Sequence, residues 1–131
     1  MAAGATGAEL DEVEAALGQP LAPQHRALLS DENGNEHWYG DVFVMIYGTD
    51  ALVAVNREIE RHPGFLAFGS DGSREILGFD MRAERPPVVM IDITSAGWEE
   101  ALYQASSLTE FMRQRAAGED LRWSQPYEPR T

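Results

Sequence analysis

The chain has 131 residues, 44% of them apolar and 24% charged, with no cysteine and no lysine. Twenty-two acids face ten bases, all arginine, for a formal net charge of −12 at pH 7. That length suits one domain. The composition excludes disulfides, thiolate metal sites and lysine Schiff-base chemistry, and a charge this negative opposes binding to a phosphate backbone.

The charge is uneven. Residues 1–60 carry eleven acids against Arg26 and Arg57, net −9, whereas residues 61–131 carry eleven acids and eight arginines, net −3. No apolar run approaches the length of a membrane span, and Met1–Leu10 lacks the basic and apolar stretches of a secretory signal. A soluble, cytoplasmic protein without membrane contact is expected.

Residues 1–8 are small and flexible in composition, which predicts a flexible lead. From Glu9 the spacing of Leu10, Val13 and Leu17 predicts an amphipathic helix that Gly18 stops. Pro23 suits the first turn of a second helix carrying His25, Leu28 and Leu29, and Asn33-Gly34-Asn35 closes it. Asp41–Tyr47 is apolar on both alternating faces, which predicts a strand covered on both sides. Thr49 or Asp50 can cap a third helix, with Leu52, Val55 and Ile59 buried, before Pro63-Gly64 ends it.

Phe65–Phe68 leads into the turn residues Gly69 to Ser73. Glu75–Arg82 and Val88–Thr94 then read as a hairpin with a five-residue loop. Pairing Arg82 with Val88 would put Asp80 and Asp92 diagonally on one face, about 7–8 Å apart. A one-residue slip reverses the faces. Gly97–Ala105 has no clear pattern. Ser107 to Glu110 reads as a capping box opening a last helix with Leu108, Phe111 and Met112, stopped by Gly118. Residues 9–117 form the domain, and 118–131 a tail that can dock through Trp123 and Tyr127. The order predicts an α+β fold, a mainly antiparallel twisted sheet packed with several helices.

These pieces resemble the SMI1/KNR4-like domains of the SUKH superfamily. The resemblance rests on Leu17-Gly18, Leu21-Ala22-Pro23-Gln24-His25-Arg26-Ala27-Leu28-Leu29, Asn33-Gly34, Leu52 to Glu58, and Pro63 to Gly72 with its Phe68-Gly69-Ser70-Asp71-Gly72 core. Leu77-Gly78-Phe79-Asp80, Pro87-Val88-Val89 and Ser107 to Met112 complete it. The second helix departs from the family's Leu-Pro-x-x-Tyr: the proline is Pro23 and the aromatic position holds His25. The resemblance implies an α+β fold with no established catalytic centre. It also implies a role for bacterial members as immunity proteins that bind toxins, many of them nucleases, and for fungal relatives in cell-wall regulation.

Asp31, Glu32, Glu36 and Asp41 flank Trp38-Tyr39 in a loop-like segment. Aromatics that anchor and acids that steer suit a basic protein partner; the alternative is a solvated loop whose Trp38 folds onto the core. A second patch comprises Asp71, Asp80 and Asp92. Asp80 and Asp92 as a carboxylate pair are one route to acid–base chemistry, and two solvated sheet acids are the plainer reading. The Gly69–Gly72 turn reads as a structural turn with Asp71 bonding the backbone, rather than an anion nest. His25, His37 and His62 lack metal-ligand spacing, and no nucleophile-elbow or phosphate-loop motif occurs. No cofactor, metal or catalytic residue is expected. The favoured function is a non-enzymatic immunity protein with an acidic surface for a nuclease-type toxin. The alternatives are a regulatory or scaffold protein with no toxin partner, and a small ligand-binder or hydrolase using Asp80 and Asp92.

Overall fold

The computed structural model describes residues 3–59, 62–95 and 97–128. Helices α1 (Gly7–Leu17) and α2 (Pro23–Asp31) precede the hairpin β1 (Asn35–Tyr39) and β2 (Val42–Ile46); α3 (Thr49–Glu58) follows. Then come β3 (Phe65–Ser70), β4 (Glu75–Asp80), β5 (Val88–Asp92), β6 (Leu102–Ala105) and α4 (Leu108–Ala116). The six strands form one antiparallel sheet in sequence order. The α+β reading therefore holds. Two strands were not legible in the sequence, β1 inside the expected loop and β6 inside the patternless stretch.

The first turn forms earlier than the periodicity indicates. Thr6 accepts from the Glu9 amide while Glu9 accepts from the Thr6 amide, a complete capping box that starts α1 at Gly7. From Ala3 onward the expected flexible lead is tied down. Ala5 is buried, its amide donates to the Leu29 carbonyl (2.7 Å), and the Asn33 amide donates to Ala3 (3.0 Å). Residues 1 and 2 lie outside the described residues.

The sheet carries a core on each face. On the first, Val44, Ile46, Leu66, Phe68, Leu77, Phe79, Val88 and Met90 pack with Leu10, Leu29 and Phe111 from the helices. The rings of Phe68 and Phe79 lie 4.9 Å apart and those of Phe68 and Phe111 5.8 Å apart, contacts worth about 0.5–1.5 kcal/mol each beyond burial. His25 is wholly buried among them, 5.6 Å from the Phe79 ring, and neither ring nitrogen finds a hydrogen-bond partner among the described residues. Burial pushes its pKa down to about 4, so the ring is neutral in the core.

The second face holds a smaller core of Phe65, Ala67, Ile76, Val89, Ile91 and Ala101, against which Val55, Ile59, Trp98 and Tyr127 pack. Helix α3 serves both cores, giving Leu52 to the first and Val55 to the second, where Ile59 just after the helix joins it. It can do so because β2 pairs with β3 only near Ile46 and Gly69. Beyond that point Asn56 replaces the missing strand: its carboxamide accepts from the Ala67 amide (2.8 Å) and donates to the Ala67 carbonyl (3.1 Å). The amide is fully used, in keeping with its position beside the apolar stripe.

The β4–β5 register corrects the expected one. Phe79 pairs with Val88 and Glu75 with Asp92, an odd shift that exchanges the two faces. The cause is the loop. Asp80 stays in the ladder, pairing with Phe65 and donating its amide to the Pro87 carbonyl (3.2 Å), but its side chain bonds the Arg82 amide and turns the chain, and Pro86 and Pro87 bring no N–H to extend the pairing. β2 also differs: one face is buried, but Phe43 and Met45 on the other are only half-buried.

After α4 the chain runs back along β6. The Tyr103 amide donates to Gln125, the Tyr127 amide donates to Ala101, and Gln104 brackets the Arg122 backbone at 2.7 and 2.9 Å.

Candidate interaction surface

The segment carrying the predicted acids and aromatics is a β-hairpin. Tyr39 pairs with Val42 across the two-residue turn Gly40-Asp41, where Gly40 takes φ 64°, a left-handed conformation that favours glycine. Asn33 anchors its base to α3: its carboxamide oxygen accepts from the Thr49 amide (2.8 Å) and its NH2 donates to the Thr49 hydroxyl (3.0 Å). This bond does the work expected of a Thr49 or Asp50 cap, since neither side chain caps α3.

Strand alternation separates the two aromatics that the sequence groups together. Trp38 is 65% exposed, stacked on Phe43 with centroids 5.1 Å apart. Tyr39 turns to the opposite face and packs on the first core. Burial first, and then the charge of Glu32, push the Tyr39 hydroxyl above its ordinary pKa, against the opposing effect of Arg115. Arg115 itself is 1% exposed. One of its nitrogens donates to the Asp120 carbonyl (3.0 Å), while Nε and Nη1 find no partner among the described residues. Only Trp38 of the pair faces outward.

The acids divide as well. Glu36 and Asp41 are exposed, near the start of β1 and in the turn, and Asp31 is exposed at the end of α2. Glu32 is half-buried and accepts from the Asn35 carboxamide (2.9 Å). Thus Glu36, Trp38 and Asp41 sit together on the sheet's free edge, with Asp31 at the foot of the hairpin.

The second patch does not assemble as expected. By the observed register Asp80 and Asp92 point to opposite faces and lie about 17 Å apart along the strands. Asp80 is buried. Arg82 donates to it from Nε (2.9 Å), Nη2 (3.1 Å) and its backbone amide (3.0 Å), and the Tyr127 hydroxyl donates at 2.6 Å. Burial pushes the Asp80 carboxyl up, but these bonds outweigh it and hold the carboxyl below its ordinary pKa. The Arg82 guanidinium in turn lies 3.9 Å over the Trp98 ring, whose Nε1 donates to the Pro63 carbonyl (2.8 Å). A carboxylate so fully bonded is a staple and not a free acid or base.

Asp71 and Asp92 do come together, around Glu75. Asp71 accepts from the Ser73 and Glu75 amides, as a structural turn requires. Thr94 donates to Asp92 from its hydroxyl (2.6 Å) and amide (2.8 Å), which holds the Asp92 carboxyl down at about 2. Glu75 is pushed up, first by burial and then by the charges of Asp92 and Asp71. The sequence does not single out Glu75, because the expected register places Asp92 beyond its reach. Among the described residues no cluster of three or more metal-ligating side chains is arranged to hold an ion, and no helix is long and apolar enough to cross a membrane.

No curated protein matches the chain. A family model does, over residues 4–114, from the docked N-terminal segment into the last helix. With the six-stranded antiparallel sheet and four helices described above, that match shows that the chain belongs to the SMI1/KNR4 family (SUKH-1).

Proposed function

We propose that this chain is a non-enzymatic protein-binding module, and specifically an immunity protein that neutralises a basic, nucleic-acid-cleaving toxin. One observation carries the reading: a tryptophan 65% exposed on a free edge strand, within a segment that contains no base. Residues 27–56 hold Asp31, Glu32, Glu36, Asp41 and Asp50 and neither arginine nor lysine. Trp38 supplies a rigid apolar anchor, and Glu36 and Asp41 beside it supply the field that draws in a cationic surface. Bound over a nuclease active site, these carboxylates would stand where substrate phosphates otherwise sit. The saturation of Asp80 supports the absence of catalysis by the pair singled out in the sequence.

The test uses a nuclease toxin encoded beside this chain's gene. The chain is expected to abolish nuclease activity at a one-to-one ratio. Association should slow by at least tenfold between low and high salt, and Trp38→Ala should weaken binding by about 2 kcal/mol, roughly thirtyfold. Inhibition that ignores both salt and Trp38→Ala would overturn the reading.

A further inference from the structure

The second face of the sheet is covered unevenly. Trp98 and Tyr127 close it at the Asp80 end. Farther along, between the last turn of α3 and the chain after β5, a cleft of about 500 Å³ remains. Its floor is the cross-strand pair Ile76 and Ile91, and Tyr47, Ile59 and Ile93 form its walls. Ile93 is 64% exposed at the mouth. Ser70, Ser73 and Ser95 place hydroxyls among these aliphatics, and His62 Nε2 lies 2.9 Å from the Ser95 oxygen, which bonds the Gly97 carbonyl.

This cleft continues the face that presents Trp38. Strand alternation puts Glu36, Trp38, Phe43 and Met45 on the side away from the first core. Phe43 leans so closely on Gly72 that a Cβ there would meet its ring, and Met45 pairs with Ser70 at the edge of the cleft. An apolar strip thus crosses the sheet from β1 to β5, about 19 Å over four strand spacings. Acids border it at both ends: Glu36 and Asp41 beside Trp38, and Glu58 on the wall of the cleft. Arg74 stands near the cleft end, within 3.5 Å of Asp92. A small ligand would need the cleft alone. The continuity of the strip and its acidic borders fit a longer, cationic occupant.

We propose that the cleft is an anchor pocket for a basic protein segment, which lies across the second face with one aliphatic side chain seated over Ile76 and Ile91. The proposal rests on the partner class proposed above and extends the contact from the hairpin to the far end of the sheet. Seating one such side chain removes its apolar surface from water, an effect worth about tenfold or more in affinity.

The probe is a short synthetic peptide with a central leucine between pairs of arginines, titrated into isotopically labelled protein. Methyl resonances of Ile76, Ile91 and Ile93 and the Trp38 indole resonance are followed. All are expected to move, and Ile93→Asp is expected to weaken binding about tenfold while leaving the fold's other resonances in place. A matched peptide with glycine for leucine should move Trp38 but not the isoleucine methyls. Still methyls with the leucine peptide, or equal binding of a version with glutamates for arginines, would overturn the proposal. A response at Trp38 without one at the isoleucines removes the cleft and leaves the hairpin reading intact. The reverse pattern removes the hairpin and keeps the cleft.

Discussion

The hairpin and the Asp80 cluster use the same residue types to opposite ends. At the hairpin, Glu36 and Asp41 stand in water beside an exposed indole. At the cluster, a carboxylate accepts from a guanidinium and a phenol, and the guanidinium lies over an indole whose N–H donates to the Pro63 carbonyl. The carboxylate oxygens of Asp80 face four donor groups, whereas Glu36 and Asp41 are exposed to solvent. A charge acts at a distance only while it stays unpaired, so the two regions divide attraction from cohesion.

Substitutions can sharpen or break that division. The largest effect is expected from Asp80→Ala, which strands Arg82 and Tyr127 together. Urea denaturation should report a loss of about 3 kcal/mol, since the half-exposed Arg82 loses its charge-assisted bonds and the Tyr127 hydroxyl loses its acceptor. Partner binding at the hairpin should persist in whatever fraction stays folded. A loss below about 1 kcal/mol would mean that the cluster is ornament.

The buried His25 gives the next effect and reads the first core alone. Its pKa is about 4 in the folded chain against an ordinary 6.5, so the unfolded chain binds more protons between those values. Stability is therefore full above pH 6.5 and falls by about 3 kcal/mol as pH drops to 4. Asp80, whose carboxyl is held low, adds its own loss only below that window. Thermal melts against pH should show the slope, and His25→Phe should flatten it between pH 6.5 and 4. A slope that survives the substitution would assign the acid sensitivity elsewhere.

The smallest effect belongs to Glu36→Arg. An exposed charge on an edge strand should change stability by less than about 0.5 kcal/mol, while the association rate with a basic partner falls several-fold and its salt dependence shrinks. If stability and binding fell together, the hairpin would resemble the cluster and the contrast would fail.

Much of the fold was legible because apolar spacing reports burial directly: Leu10, Val13, Leu52 and Phe111 all sit in the core where their periodicity places them. β1 was not, because Asn35-Glu36-His37-Trp38-Tyr39 is a polar edge strand whose pairing is dictated by β2 and not by its own composition. β6 was hidden for a related reason, being four residues long and held partly by the returning tail. The candidate site was half legible. Composition marks the acids and Trp38, but only the register tells that Tyr39 faces inward and that Asp92 meets Glu75 instead of nearing Asp80.

Asn56 has a consequence for how the molecule comes apart. By standing in for a strand at Ala67, it lets one helix cross the rim of the sheet and hold residues in both cores. Neither face can then melt without pulling that helix from the other. The hairpin on one side of the rim and the cleft on the other therefore belong to a single cooperative unit, and any motion that opens one is felt at both.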